Sequence, residues 1–126
     1  MIYGIGTDIV AIARIRDGLA RYGEKFARRI LTPQELEAFR RSATPARFLA
    51  KRFAAKEAAV KAMGTGFRDG ITLGQIAVSN NRHGRPELVF SGRAQEVCRE
   101  FGIGEHHLSL SDEKEYAIAF ATLLRG

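Results

Sequence analysis

Phe53-Ala54-Ala55-Lys56-Glu57-Ala58-Ala59-Val60-Lys61-Ala62 is a run of small and apolar residues interrupted by one acid and two lysines. The segment carrying it has its own start and stop signals: Thr44-Pro45 supplies an N-cap and a first-turn proline, and Gly64 a terminator, which predicts a helix over 45–63. Within that helix Leu49, Phe53, Glu57 and Lys61 share one i, i+4 row, so the two charges extend an apolar ridge. Two readings stand. An exposed Glu57–Lys61 pair would be worth only about 0.2–0.5 kcal/mol. At the end of an apolar ridge the same two groups also suit a cleft, with the carboxylate as a metal ligand and the ammonium as a phosphate contact.

Before this helix, Ile2 to Val10 reads as a strand, with Tyr3, Ile5 and Thr7 on one face and Ile2, Gly4, Gly6 and Asp8 on the other. The two glycines clear the surface beside Asp8 for another backbone or a ligand. Asp8 is then either a candidate ligand or the cap of the next helix. Ile12, Ile15 and Leu19 predict a helix over 12–21, and a second short piece follows over 24–30 because Gly18 and Gly23 interrupt the pattern. Arg14, Arg21, Lys25, Arg28 and Arg29 give these pieces a basic face that suits either plain solvation or an acidic partner helix. Thr32-Pro33-Gln34-Glu35 is a capping box that opens a third, short helix.

After it, Gly64 to Gly70 is a glycine-rich loop that matches neither a GxGxxG fingerprint nor a P-loop. Strands are predicted over 71–79 and 86–90 around the turn Asn80-Asn81-Arg82-His83-Gly84, then a helix over 93–101. A closing hairpin pairs 107–111 with 116–123. On its first strand His107, Ser109 and Ser111 share one face and Leu108 and Leu110 the other. No G-x-S-x-G elbow surrounds either serine, which argues against a serine hydrolase and for a polar strand face that meets phosphate or a neighbouring subunit. Together the elements predict an α+β fold, a mainly antiparallel sheet packed against a long helix.

The 126 residues, 45% of them hydrophobic, suffice for one domain over 1–126 that buries on the order of two-thirds of its unfolded surface. Twenty basic against fourteen acidic residues give a net charge of +6, which points to a polyanionic partner. Nucleic acid is disfavoured by the lack of Trp and of a basic, aromatic-interleaved platform. Cys98 is the only cysteine, so there is no internal disulfide, and a reducing cytoplasm fits. The first residues lack signal-peptide character, and the apolar run from Tyr116 to Leu124 is far short of the roughly 18–20 residues that span a bilayer, so no membrane association is expected.

Three stretches in this order, Ile2–Val10, Arg52–Ala62 and His107–Ser111, resemble the bacterial holo-[acyl-carrier-protein] synthases, the short, trimeric type of phosphopantetheinyl transferase. Arg29-Ile30-Leu31-Thr32 and Gly84-Arg85-Pro86 agree with the same family. The resemblance implies magnesium-dependent transfer of the 4′-phosphopantetheine arm of coenzyme A to a serine of apo-acyl carrier protein, releasing adenosine 3′,5′-bisphosphate. It places Asp8 and Glu57 at the magnesium-ligand positions, and a hard cation that keeps several waters suits two carboxylates plus substrate phosphate oxygens. Lys61 would hold phosphate, and Glu57, directly or through a metal-bound water, would be the base for the carrier serine. His107, Ser109, Gly84, Arg85 and Pro86 fall on the coenzyme side; for His107 the plain reading is a satisfied strand histidine. Arg14, Arg21, Lys25 and Arg29 fall on the side that docks the acidic carrier protein. The family implies a homotrimer with active sites between subunits. Val10 stands where the longer, monomeric transferases place another acid, and Asp112 stands where many short-type members have a histidine, so Asp112 is assigned no catalytic role. The non-enzyme alternative is a basic module for acidic protein or RNA, with Glu57 and Lys61 a surface pair.

Overall fold

The computed structural model describes residues 1–126. Its order is β1 (Ile2–Ala11), α1 (Ile12–Tyr22), α2 (Glu24–Ile30), α3 (Pro33–Arg40), α4 (Pro45–Met63), a 3-10 turn (Leu73–Gln75), β2 (Ile76–Asn80), β3 (Pro86–Phe90), α5 (Gly92–Glu100), β4 (Ile103–Asp112) and β5 (Tyr116–Arg125). The architecture is α+β: one antiparallel sheet runs β1-β5-β4, a separate hairpin pairs β2 with β3, and α4 lies across the sheet.

The sheet packs on α4 through small residues on both sides. Ala54, Ala55, Ala58, Ala59 and Ala62 of α4 and Ala117, Ala119 and Ala121 of β5 are all buried. β1 completes this face with Gly4 and Gly6, where any Cβ would overlap the backbone carbonyls of Ala62 and Ala58 respectively. The space beside Asp8 is thus filled by a helix backbone, the first of the uses expected of a glycine on that face.

Several local expectations change. β1 runs past Asp8 to Ala11, which is the N-cap of α1 without a side-chain bond, so Asp8 caps nothing. A register shift between Ile2 and Gly4 turns Tyr3 off the outer face, and its hydroxyl donates to the Met63 carbonyl at 3.3 Å. Thr44 makes no capping bond with its hydroxyl, whereas Thr32 and Glu35 form the full reciprocal box. β2 starts at Ile76 because Thr72 and Gln75 close a box around the 3-10 turn, and β4 starts four residues earlier than expected, at Ile103.

A buried charge network ties the helices to the hairpin. Lys56 is fully buried, and its Nζ donates to Glu35 Oε1 at 2.6 Å, to Ile30 O at 2.6 Å and to Leu73 O at 3.1 Å. Glu35 Oε2 accepts from Val78 N at 3.0 Å and from Arg52 at 3.2 Å, and Arg52 also donates to the Val78 carbonyl. Burial pushes the Glu35 carboxyl up, but the Lys56 ammonium and the bonds from Lys56, Thr32 and Val78 outweigh it and hold the group below its usual range. Burial pulls the Lys56 ammonium down against Glu35, and three oxygen acceptors suit it as the charged form.

Gly6→Ala is expected to destabilise the protein by about 1–3 kcal/mol, because its methyl meets rigid backbone. Gly74→Ala, where an added Cβ meets nothing within 4 Å, should stay within about 0.5 kcal/mol of the parent. Urea unfolding of the two variants checks the contrast; equal midpoints would show that the close approach at Gly6 carries no such constraint.

Candidate functional site

Asp8 is the first residue beyond Gly6 on the helix-facing side of β1, and α4 places Lys61 against it. Lys61 Nζ donates to Asp8 Oδ1 at 3.0 Å and to the Thr7 carbonyl at 3.1 Å. Glu57, one turn earlier on α4, is not the ion-pair partner of Lys61; Asp8 is. The row from Leu49 through Phe53 and Glu57 to Lys61 passes from buried to half-buried to exposed, so the ridge surfaces at the two charges.

Burial raises the Glu57 carboxyl above its usual range, the nearby Asp8 carboxylate adds to this, and Lys61 opposes. Glu57 therefore feels the Asp8 carboxylate across a partly shielded gap. No group of three or more His, Cys, Asp or Glu side chains converges anywhere in the chain, so there is no closed protein cage for a metal. Two carboxylates at a partly open edge fit a hard cation such as magnesium, which takes one or two protein carboxylates and fills its other positions with water and phosphate oxygens.

A second group forms on the hairpin side. Arg85, Pro86 and His107 line one pocket with Asn81, Glu87, His106 and Leu108. Gly84 belongs to the turn, where it adopts φ +80°, and Asn81 Oδ1 accepts from His83 N and Arg85 N to fix the turn. His107 Nε2 lies 2.9 Å from Glu105 Oε2, and both side chains are exposed. Ser109 is not in this pocket; it stands on the outer sheet face in the row Thr7–Phe120–Ser109. No hydrogen bond or ion pair joins the Asp8–Glu57–Lys61 group to the Arg85–Pro86–His107 group.

Arg14, Arg21, Lys25 and Arg29 are all exposed, and none forms an ion pair. They lie on α1 and α2, which break at Gly23.

Sequence reading passed over two features. Lys56 sits beside Glu57 in the sequence yet points into the core, which its flanking alanines signal once the face is known. Arg47 and Lys51, one turn apart on α4, grip Asp112 at 2.7 and 3.3 Å and line a pocket with Ser42, Thr44, Arg52 and Asn80. The hydrogen bond from Arg47 holds the Asp112 carboxyl below its ordinary range against the effect of burial, and Lys51 adds to it.

Comparison with known proteins gives one family. Residues 4–121 match the family described as the 4′-phosphopantetheinyl transferase superfamily. The holo-[acyl-carrier-protein] synthase of Halorhodospira halophila is 56% identical over 126 residues, covering 100% of both chains. The crystal structure of the holo-[acyl-carrier-protein] synthase of Neisseria meningitidis superposes with a TM-score of 0.93 at 44% identity, covering 98% of this chain and 99% of that one. The Helicobacter pylori enzyme, solved in complex with coenzyme A, gives a TM-score of 0.83 at 31% identity, covering 95% and 99%. The chain belongs to the 4′-phosphopantetheinyl transferase superfamily and, within it, to the holo-[acyl-carrier-protein] synthases.

Proposed function

We propose that the chain, acting as one domain over 1–126, transfers the 4′-phosphopantetheine group of coenzyme A to a serine of apo-acyl carrier protein in a magnesium-dependent reaction. The products are holo-acyl carrier protein and adenosine 3′,5′-bisphosphate. The observation that carries this reading is the meeting of Asp8, Glu57 and Lys61 where β1 crosses α4. Kinship with a synthase solved in complex with coenzyme A supports the donor.

Asp8 and Glu57 would hold the magnesium ion, which when bound would offset charge on the diphosphate. Lys61, half exposed, leaves Asp8 to grip a phosphate oxygen as a point charge. Glu57 takes the proton from the carrier serine as its oxygen bonds to the phosphorus bearing pantetheine, and the bond from that phosphorus to the bisphosphate breaks. Gly84, Arg85, Pro86 and His107 receive the nucleotide end, and Ser109, on the outer sheet face, would reach it only across a subunit interface. Arg14, Arg21, Lys25 and Arg29 dock the acidic carrier protein.

A homotrimer is part of the proposal. Ile5, Ile9, Tyr116, Ile118 and Phe120 are 38–60% exposed on the outer side of the sheet, an apolar patch that a second copy would cover. The absence of any hydrogen bond or ion pair between the two residue groups within one chain fits sites completed between subunits. The reaction and its partner also fit a cytoplasmic enzyme, and no helix is long and apolar enough to cross a membrane.

Apo-acyl carrier protein incubated with the enzyme, coenzyme A and magnesium should gain the phosphopantetheine mass by mass spectrometry, and chelation of the magnesium should abolish the gain. In the same assay Glu57→Gln should lose about 10²-fold or more in turnover; near-normal turnover at saturating magnesium and both substrates would remove Glu57 as the base. Charge reversal at Arg14 or Arg21 should raise the KM for carrier protein and flatten its salt dependence with little change in the KM for coenzyme A. Equal weakening toward both substrates would count against docking there. Light scattering should give three chain masses for the parent and one for Phe120→Asp; a monomeric parent would end the trimer reading.

A further inference from the structure

The β2–β3 hairpin is not part of the main sheet; it packs against β4, and the hydrogen bond that joins it to that strand comes from a side chain, Leu88 N donating to His106 Nε2 at 3.1 Å. Leu88 pairs with Val78 across the hairpin and is itself buried, so the ring of His106 takes an edge amide that no neighbouring strand satisfies. Phe90, two residues on, meets the same ring edge-on at 6.0 Å. On its other edge the hairpin is already fixed, because Val78 is held by Glu35 and Arg52. His106 is therefore the polar tie between β4 and the strand that begins at Pro86.

We propose that His106 is a positioning residue for coenzyme A: by accepting from Leu88 its neutral ring holds the hairpin against β4, so that Arg85 and His107 face one pocket. This rests on the reading of the Gly84-Arg85-Pro86 turn as a contact for the nucleotide end. His106 acts through the turn and touches no reacting atom.

The bond requires an unprotonated Nε2, with any ring proton on Nδ1. Burial lowers the pKa of His106, and His107 adds to this, while Glu87 from β3 and Glu105 from β4 oppose it. Arg85 at the turn and Arg99 from α5 are the other charges lining the pockets around the ring. With its pKa depressed, the ring is neutral near pH 7, and the tie is lost as pH falls through the lowered value. Protonation would set two donors face to face and leave the Leu88 amide unpartnered.

The test uses the intact enzyme with magnesium and compares His106→Leu, which lacks an acceptor, with His106→Gln, which keeps one and does not titrate. His106→Leu should weaken coenzyme A binding by calorimetry and raise its KM by about 3- to 10-fold, with kcat little changed at saturating coenzyme A. Hydrogen exchange at the Leu88 amide should accelerate in this variant. His106→Gln should bind as the parent does near pH 7 and lose the weakening of coenzyme A binding that the parent shows as pH falls through the lowered value of His106. Arg85→Ala separates the two levels of the argument. If it weakens coenzyme A binding while His106→Leu leaves binding and Leu88 exchange unchanged, the positioning role is overturned. If it leaves coenzyme A binding unchanged, the reading of the turn fails and the inference falls with it.

Discussion

The distance between β1 and α4 is set by what is missing from β1. With hydrogen in place of a side chain at Gly4 and Gly6, the carbonyls of Ala62 and Ala58 sit where Cβ atoms would otherwise stand. The alanines of α4 and β5 continue the same small-on-small contact across the sheet. A helix seated this low brings its solvent edge level with the next inward-facing position of β1, which is Asp8. The proximity of Asp8 to Glu57 and Lys61 is thus a consequence of backbone packing, and close packing leaves little slack for it to vary.

Depth alone does not fix a helix, which can still slide or rotate. Those freedoms are removed by Lys56 and Arg52, whose partners lie on four other elements: the end of α2, the start of α3, the 3-10 turn and β2. Desolvation offsets much of the Coulomb energy of a buried pair, so its net contribution to stability is small beside the specificity of its geometry. Glu35 shows the economy of the arrangement. One carboxylate closes the capping box of α3, meets the charge of α4 and satisfies the amide of Val78. Since Lys56 and Glu57 are adjacent, anchoring the first in the core turns the second toward the rim.

The elements were legible wherever a single residue type has one local use. Proline after threonine, glycine after a periodic run and strict alternation in 107–111 each place a boundary or a face, and α1, α2, α4, β3 and the final hairpin follow them. The glycines of β1 marked the close approach but not its partner, since nothing local says which backbone will arrive. The pairing of Lys61 with Asp8 rather than Glu57 depends on a strand 53 residues away. Lys56 was hidden for the same reason: on a helix edge a lysine is ordinarily solvated, and only the assembled carbonyls of Ile30 and Leu73 make it a core residue. His106 differs from His107 by one strand position, hence by face, and only the docked hairpin gives the inner ring its partner.

The charge inventory of the Asp8 cluster gives the proposed chemistry its order. Two carboxylates and one ammonium leave one net negative charge at a partly shielded edge. That balance favours a cation before an anion, because a diphosphate arriving first would meet two carboxylates with a single ammonium already engaged by Asp8. If Asp8 and Glu57 held the proposed divalent ion, the local balance would turn positive and Lys61 would be released from Asp8. In the proposed reaction the ammonium would then be free for phosphate, and in the proposed trimer the hairpin side of another copy would supply the remaining wall. Metal and coenzyme are in this reading two successive answers to one charge balance, created where two glycines let a helix lie against a strand.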